Sequence, residues 1–284
     1  MGLFCYNNKV MALYVVATPI GNLEDITLRA LRLLSEVKLI AAEDTRHTRK
    51  LLSAHNIKTP LTSYFEHNRL SKLDYILEVL REGDVALVSD AGMPGISDPG
   101  YELIKAAHEN GIKVVPVPGA SAVITAVAVS GLDSGSFSYL GFLPRQKSER
   151  RKALSEVEIL VASIVILEAP HRLQGCLLDI KEVLGDRQIS VCRELTKIYE
   201  EIFRGSISQS ISHFSQPRGE FVLVVEGNRQ IPAKPELTGD IISELGLLKK
   251  QGKSAKEAVA LVSQKNGLSK KEIYRAWLKI DKAL

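Results

Sequence analysis

Short apolar runs rich in β-branched residues alternate with amphipathic segments from Leu13 onward. Residues 13–18 (LYVVAT) read as a buried strand that stops at Pro19 and Gly21. Asp25 is placed to cap a helix with Leu28, Leu31, Leu34 and Val37 on its apolar face. Residues 39–42 (LIAA) predict the next strand, and the basic stretch 46–55 a helix. Residues 85–89 and 113–117 predict further strands; a helix opening near Pro99 between them stops before Asn110-Gly111. Continuous apolar strands with helical crossovers predict a parallel sheet covered on both faces.

The pattern changes at Pro116-Val117-Pro118-Gly119. A helix of small residues follows (121–129), then strands at 137–140, 163–167, 188–191 and 221–225. Residues 199–205 alternate in polarity and predict an added antiparallel strand, so this second sheet is expected to be mixed. In the tail, Pro232 and Pro235 mark a linker. Ser254-Ala255-Lys256-Glu257 and Ser269-Lys270-Lys271-Glu272 are capping boxes, each opening a helix, with a turn at Asn266-Gly267-Leu268 between them. Trp277 is placed to pack a small helical core. The expected architecture is two α/β domains, 12–118 and 119–230, with a helix-turn-helix-like domain at 236–284.

Composition adds little until it is divided along the chain. The 284 residues are 45% hydrophobic and 25% charged, as in a globular protein, and no apolar run reaches the ~20 residues needed to cross a bilayer. The start lacks the features of a secretory signal, and Met11 stands directly before the first strand, so residues 1–10 read as an extension. Cys5, Cys176 and Cys192 are too few and too scattered for a disulfide framework or zinc site, which fits the cytoplasm. Residues 231–284 hold 11 Lys+Arg against 6 Asp+Glu, whereas the other 230 residues hold 26 against 27. A basic appendage on a neutral body suits either a solvated helical cap or a polyanionic partner.

The ends of the first, fourth and fifth predicted strands carry the most unusual loops: 17–25 (ATPIGNLED), 90–95 (DAGMPG) and 118–122 (PGASA). In open α/β sheets ligands bind beyond such ends. Gly92, Gly95, Gly119 and Ala120 let a ligand approach the backbone, and Ser121 and Ala122 open a helix with free N–H groups. There is no GxxxxGK[ST], GxSxG, or GxGxxG after the first strand, which argues against P-loop, α/β-hydrolase and Rossmann readings; His47, His55 and His67 lack metal-ligand spacing.

Seven motifs in order carry a resemblance: ATPIGNLEDIT (17–27), EDTR (43–46), VSDAGMPGISDPG (88–100), PGASA (118–122), FLPR (142–145), EAPHR (168–172) and RELTK (193–197). Over residues 13–227 the chain resembles the ribosomal RNA small subunit methyltransferase I family, of the tetrapyrrole (class III) methyltransferase superfamily. The resemblance implies a two-domain α/β fold with S-adenosylmethionine in the cleft between domains, a homodimer, and 2′-O-methylation of a cytidine in the decoding region of 16S rRNA. It places Pro19, Ile20, Gly92, Met93, Gly95, Ile96, Ser121, Ala122 and Leu167 at the cofactor. Gly92 stands where the superfamily has an aspartate, so contacts there fall to the backbone, and Met93 replaces a commoner threonine.

Transfer to a ribose hydroxyl calls for a general base, and Asp44, Glu168 and Glu194 are the candidates. RNA phosphates are expected at Arg46, Arg49 and Lys50 on one helix face, at Arg145, Lys147, Arg150, Arg151 and Lys152 in a mobile-looking segment, and at Arg172. The substrate is expected to be rRNA within the 30S subunit. Two other functions compete: a tetrapyrrole methyltransferase of the same fold, and a non-catalytic RNA-binding protein of ribosome assembly.

Overall fold

A computed structural model describes residues 11–65, 68–229, 239–266 and 268–280. The chain divides after Gly227 into two compact units. Both α/β halves expected from the sequence fall within the first unit. The proposed domain limits at 230 and 236, with Pro232 and Pro235, lie outside the described residues, as do His67, Gly267 and Cys5.

The first half is a parallel sheet with its crossovers. Its elements are β1 (Ala12–Val16), α1 (Leu28–Glu36), β2 (Leu39–Ala42), α2 (Thr45–Ala54), β3 (Leu61–Ser63), α3 (Arg69–Glu82), β4 (Val85–Val88), α4 (Tyr101–Glu109) and β5 (Lys113–Val117). The strand order is β3-β2-β4-β1-β5, every pair parallel. Strands β2 and β4 are buried at every position, which is why they read as unbroken apolar runs. Leu13, Ile40 and Leu87 are 0–1% exposed, and each buried side chain of this size contributes about 1.5–3 kcal/mol.

Three local expectations are corrected here. Asp25 does not cap α1: it ends a 3-10 turn (Leu23–Asp25) capped by Asn22, and Thr27 caps α1 by accepting from Ala30 N. The buried face of α1 is Ala30, Leu33, Leu34 and the following Val37, while Leu28 is 86% exposed. A spacing of three drifts around a helix of 3.6 residues per turn; the observed i, i+3, i+4, i+7 set stays on one side. Neither β3 nor α3 was foreseen individually.

The second half contains α5 (Ala122–Val129), β6 (Phe137–Phe142), α6 (Lys147–Ser155), β7 (Ser163–Glu168), α7 (Pro170–Leu184), β8 (Gln188–Arg193), β9 (Glu201–Ser206), α8 (Ile207–His213) and β10 (Phe221–Val225). Their order is β6-β7-β10-β8-β9; only β6 and β7 pair in parallel, so the sheet is mixed. Its core joins Ile166, Leu173, Ile180, Val191 and Leu223 across sheet and helices. Ala126 and Val127 of α5, with Ile20 from the first half, pack on the other face of this sheet beside Val165, Cys192 and Val222.

The second unit has three helices among its described residues: α9 (Gly239–Lys250), α10 (Ala255–Asn266) and α11 (Lys270–Ile280). The sequence reading held only the last two. Ser254 accepts from Glu257 N while Glu257 Oε2 accepts from Ser254 N (3.0 Å), a complete capping box; Ser269 accepts from Glu272 N and donates its hydroxyl to Glu272 Oε2. Trp277 packs with Leu245, Val262 and Ile273 in the small core. Among the described residues no helix is long and apolar enough to cross a membrane, and no group of three His, Cys, Asp or Glu is placed to hold a metal ion.

Candidate active site

The ends of β1, β4 and β5 lie side by side, and two of their loops are laced together. Thr18 N donates to Gly92 O (2.9 Å) and Gly92 N to Thr18 O (3.0 Å), an isolated antiparallel bridge beyond the strands. Thr18 Oγ1 also donates to Ser89 O (3.1 Å). Gly92 adopts φ +76°, a conformation that costs side-chain-bearing residues about 1–2 kcal/mol. A Cβ on Gly119 would lie 3.0 Å from the Cβ of Ala17, so the first and fifth loops approach as closely as they do because glycine stands there.

These loops form one wall of a cleft of about 520 Å³. Ile20, Gly92, Met93, Ile96, Ser121 and Ala122 line that wall, and Leu167 faces them from the end of β7. Seven of the nine expected cofactor positions thus meet in one cavity. Pro19 and Gly95 do not line it. Pro19 is buried within its loop. Gly95 shapes the next turn, where a Cβ on Gly100 would come within 3.1 Å of its Cα. Ser97 and Tyr139 hydrogen-bond between the loop after β4 and the second sheet.

Of the three candidate bases, only Glu168 lies at the cleft. Its side chain is wholly buried; Oε1 accepts from Ala169 N (2.9 Å) and pairs with Arg172 Nε (3.2 Å), while Oε2 has no nitrogen or oxygen partner and the buried Cys176 thiol lies against the carboxylate. Asp44 is instead the N-cap of α2, accepting from Arg46 N (2.8 Å) and paired with its guanidinium. Those hydrogen bonds hold its carboxyl well below the usual range, which makes it a poor proton acceptor. Glu194, at φ +50°, accepts from Glu220 N (2.9 Å) and Lys197 Nζ (3.0 Å). Burial would raise its carboxyl, but these bonds outweigh burial and hold it low.

The expected RNA contacts divide in the same way. Arg46, Arg49 and Lys50 are exposed on α2, though Arg46 is shared with Asp44. Arg145, Lys147 and Lys152 are exposed. Arg150, Arg151 and Arg172 are corrections, because each is committed within the fold. Arg150 is buried against Asp179 (Nη2–Oδ2 2.5 Å), and its Nη1 donates to Arg145 O (3.2 Å). Arg151 pairs with Asp179 (2.8 Å) and with Glu182. Arg172 pairs with Glu168 and donates to Leu143 O. The segment expected to be mobile is therefore partly helix α6 and is pinned by the buried Arg150 and the half-buried Arg151.

Several further residues line the cleft: Asp98, His171 and Lys197 were quoted only inside motifs, Tyr139 only within a predicted strand, and Glu220 was missed. Burial pushes the Asp98 carboxyl up, against a hydrogen bond from Ser89, and Asp90 nearby adds to the rise. Burial likewise raises Glu43, whose Oε2 accepts from Asp90 N (3.2 Å). Lys197 crosses toward the first loop at Gly21, where a Cβ would fall 2.4 Å from its Cγ.

A family model described as Tetrapyrrole (Corrin/Porphyrin) Methylases matches residues 12–210. A protein from Halalkalibacterium halodurans named Ribosomal RNA small subunit methyltransferase I is 47% identical over 272 residues, covering 93% of this chain and 94% of its own. The chain belongs to the ribosomal RNA small subunit methyltransferase I family. The same name is carried by an Escherichia coli O157:H7 relative, 42% identical with 95% of each chain covered. It is also carried by a Thermotoga maritima relative, 51% identical over 218 residues, 98% of its length but 76% of this chain. A solved uroporphyrin-III-C-methyltransferase from Thermus thermophilus shares the fold, with a TM-score of 0.53 at 20% identity, covering 75% of this chain and 93% of that one.

The cofactor of this methyltransferase I family member is S-adenosylmethionine. The cleft fits it. Ile20, Met93, Ile96 and Leu167 offer apolar surface to a flat ring, the backbone at Gly92 is open, and the carboxylates of Asp98 and Glu168 suit a sulfonium cation. The orphaned Glu168 Oε2 marks a buried polar atom that a ligand group can satisfy.

Proposed function

We propose that this protein methylates the ribose 2′-hydroxyl of a cytidine in the decoding region of 16S rRNA. The substrate in this reading is the 30S subunit, and the enzyme works as a cytoplasmic homodimer. The observation that carries the proposal is the cleft itself, where the loops after β1, β4 and β5 face the buried Glu168. The names of the relatives supply the class of substrate.

S-adenosylmethionine supplies an already activated methyl group, so the protein's task is alignment and removal of one proton. The N-terminal N–H groups of α5, after the Ser121 cap, would meet a carboxylate, and the Thr18–Gly92 bridge ties the first and fourth loops together. Glu168 Oε2 accepts the hydroxyl proton, with Arg172 holding the carboxylate in place through Oε1. Arg145, Lys147, Lys152, Arg49 and Lys50 meet phosphates outside the cleft.

The test is transfer of tritiated methyl groups to purified 30S particles, followed by mapping of the modified ribose. Label on a base, or on an added tetrapyrrole in place of rRNA, would overturn the proposal, and calorimetry without cofactor binding would point to a non-catalytic assembly protein. Glu168→Gln keeps the shape while removing the base, so kcat is expected to fall by about 10²–10⁴.

A further inference from the structure

The second unit carries a surface that the cleft chemistry does not use. Helix α11 buries Ile273 and Trp277, with Ala276 and Ile280 partly buried beside them. The opposite side presents Lys271, Tyr274, Arg275, Leu278 and Lys279, all exposed, over about 140° of the helix circumference. Tyr274 is 47% and Leu278 49% exposed, so an aromatic ring stands among three cations.

The acidic residues of this unit do not neutralise that face. Residues 239–280 hold nine Lys+Arg and four Asp+Glu. Glu257 and Glu272 accept from the Ser254 and Ser269 hydroxyls at the starts of α10 and α11, and Glu244 pairs with Lys265 (2.7 Å). Asp240 sits in the first turn of α9. The carboxylates therefore serve helix starts and one ion pair, and among the described residues Lys271, Arg275 and Lys279 of α11 form no ion pair with them.

We propose that this face of α11 docks ribosomal RNA, with Lys271, Arg275 and Lys279 on phosphates and Tyr274 against an unstacked base. This rests on the rRNA reading above and extends it to a second contact site outside the catalytic cleft. Charge selects a polyanion over a second copy of this unit, which carries the same positive excess. The stacking surface selects single-stranded or looped RNA, because the deep, narrow major groove of A-form RNA does not admit a helix.

The test uses the full-length protein and purified 16S rRNA over a series of salt concentrations. The variant K271A/R275A/K279A is expected to lower the slope of log affinity against log salt by about 2–3. Tyr274→Ala is expected to weaken binding about 5–150-fold at unchanged slope, with Tyr274→Phe restoring it. Fluorescence of Trp277, the single tryptophan, checks that the unit stays folded. Unchanged slope and affinity in both variants overturn the proposal, as does an equal loss on a DNA duplex of matched length. A dimer-to-monomer shift in sedimentation with rRNA affinity intact assigns the face to a second copy and also overturns it. A wild-type protein that methylates no rRNA defeats the parent reading instead, so the two failures are distinguishable.

Discussion

Asp179→Ala is the most informative perturbation of the second half. The Asp179 side chain is 2% exposed and holds two guanidiniums, Arg150 at 10% exposure and Arg151 at 30%. Removing it strands the Arg150 charge in the core, and breaking a buried pair from one side costs about 3–5 kcal/mol. At about 2–4 °C per kcal/mol for a domain of this size, Tm falls by roughly 6–20 °C. Burial alone would raise the Asp179 carboxyl, but hydrogen bonds from Arg151 and Arg150 outweigh it and hold it below its usual value. With the folded pKa depressed, the stabilisation is complete above the unfolded value of about 3.9 and is lost as pH falls below it. Thermal denaturation by circular dichroism at pH 7 and at pH 3 measures both effects, and the gap between wild type and variant should narrow in acid. Arg150→Met with Asp179→Leu should recover most of the loss by replacing the pair with apolar contacts. The reasoning fails if Arg150→Ala leaves Tm within about 2 °C while reducing the salt slope of rRNA binding by the 0.7–0.9 expected for one lost phosphate contact.

Gly92→Arg should abolish cofactor binding by calorimetry and lower stability by only the ~1–2 kcal/mol of a left-handed side-chain-bearing residue. Retained binding would misplace the site. Glu43→Gln should slightly raise Tm at pH 7, because burial has already lifted that carboxyl and its charged form is penalised in the folded state. The folded pKa lies above the unfolded one, so the penalty applies at neutral pH and fades as pH falls below the unfolded value; a gain that grows in acid would contradict the argument. A chain cut after Gly227 should keep its affinity for S-adenosylmethionine, since every residue lining the cleft lies between Ile20 and Val222.

Buried parallel strands were the most legible elements. Residues 39–42 are apolar on both faces because helices cover both, and β2 occupies those four residues. The short β3 was not legible: three residues, two of them polar, carry no period. The cofactor loops were readable because small residues there have a local cause, the approach of backbones and ligand. Arg150 was misread for the opposite reason. Its partner Asp179 is 29 residues away on another helix, and nothing local shows the pairing. One signal was present, since Arg150 takes its place with Leu154 and Val157 at i, i+4, i+7 on the buried side of the α6 region. Asp44 and Glu194 were drawn in by their motifs, which bring charged residues near strand ends but do not say which carboxylates are already spoken for.

The Thr18–Gly92 bridge has a consequence for inhibition. It is made of main-chain atoms, so no side-chain replacement at either position deletes its donors or acceptors unless proline is introduced. Gly92 also resists replacement because of its positive φ. A compound that packs against this stretch of peptide therefore leaves the target few escape mutations, whereas one gripping Met93 or Ile96 can be evaded by changing a side chain.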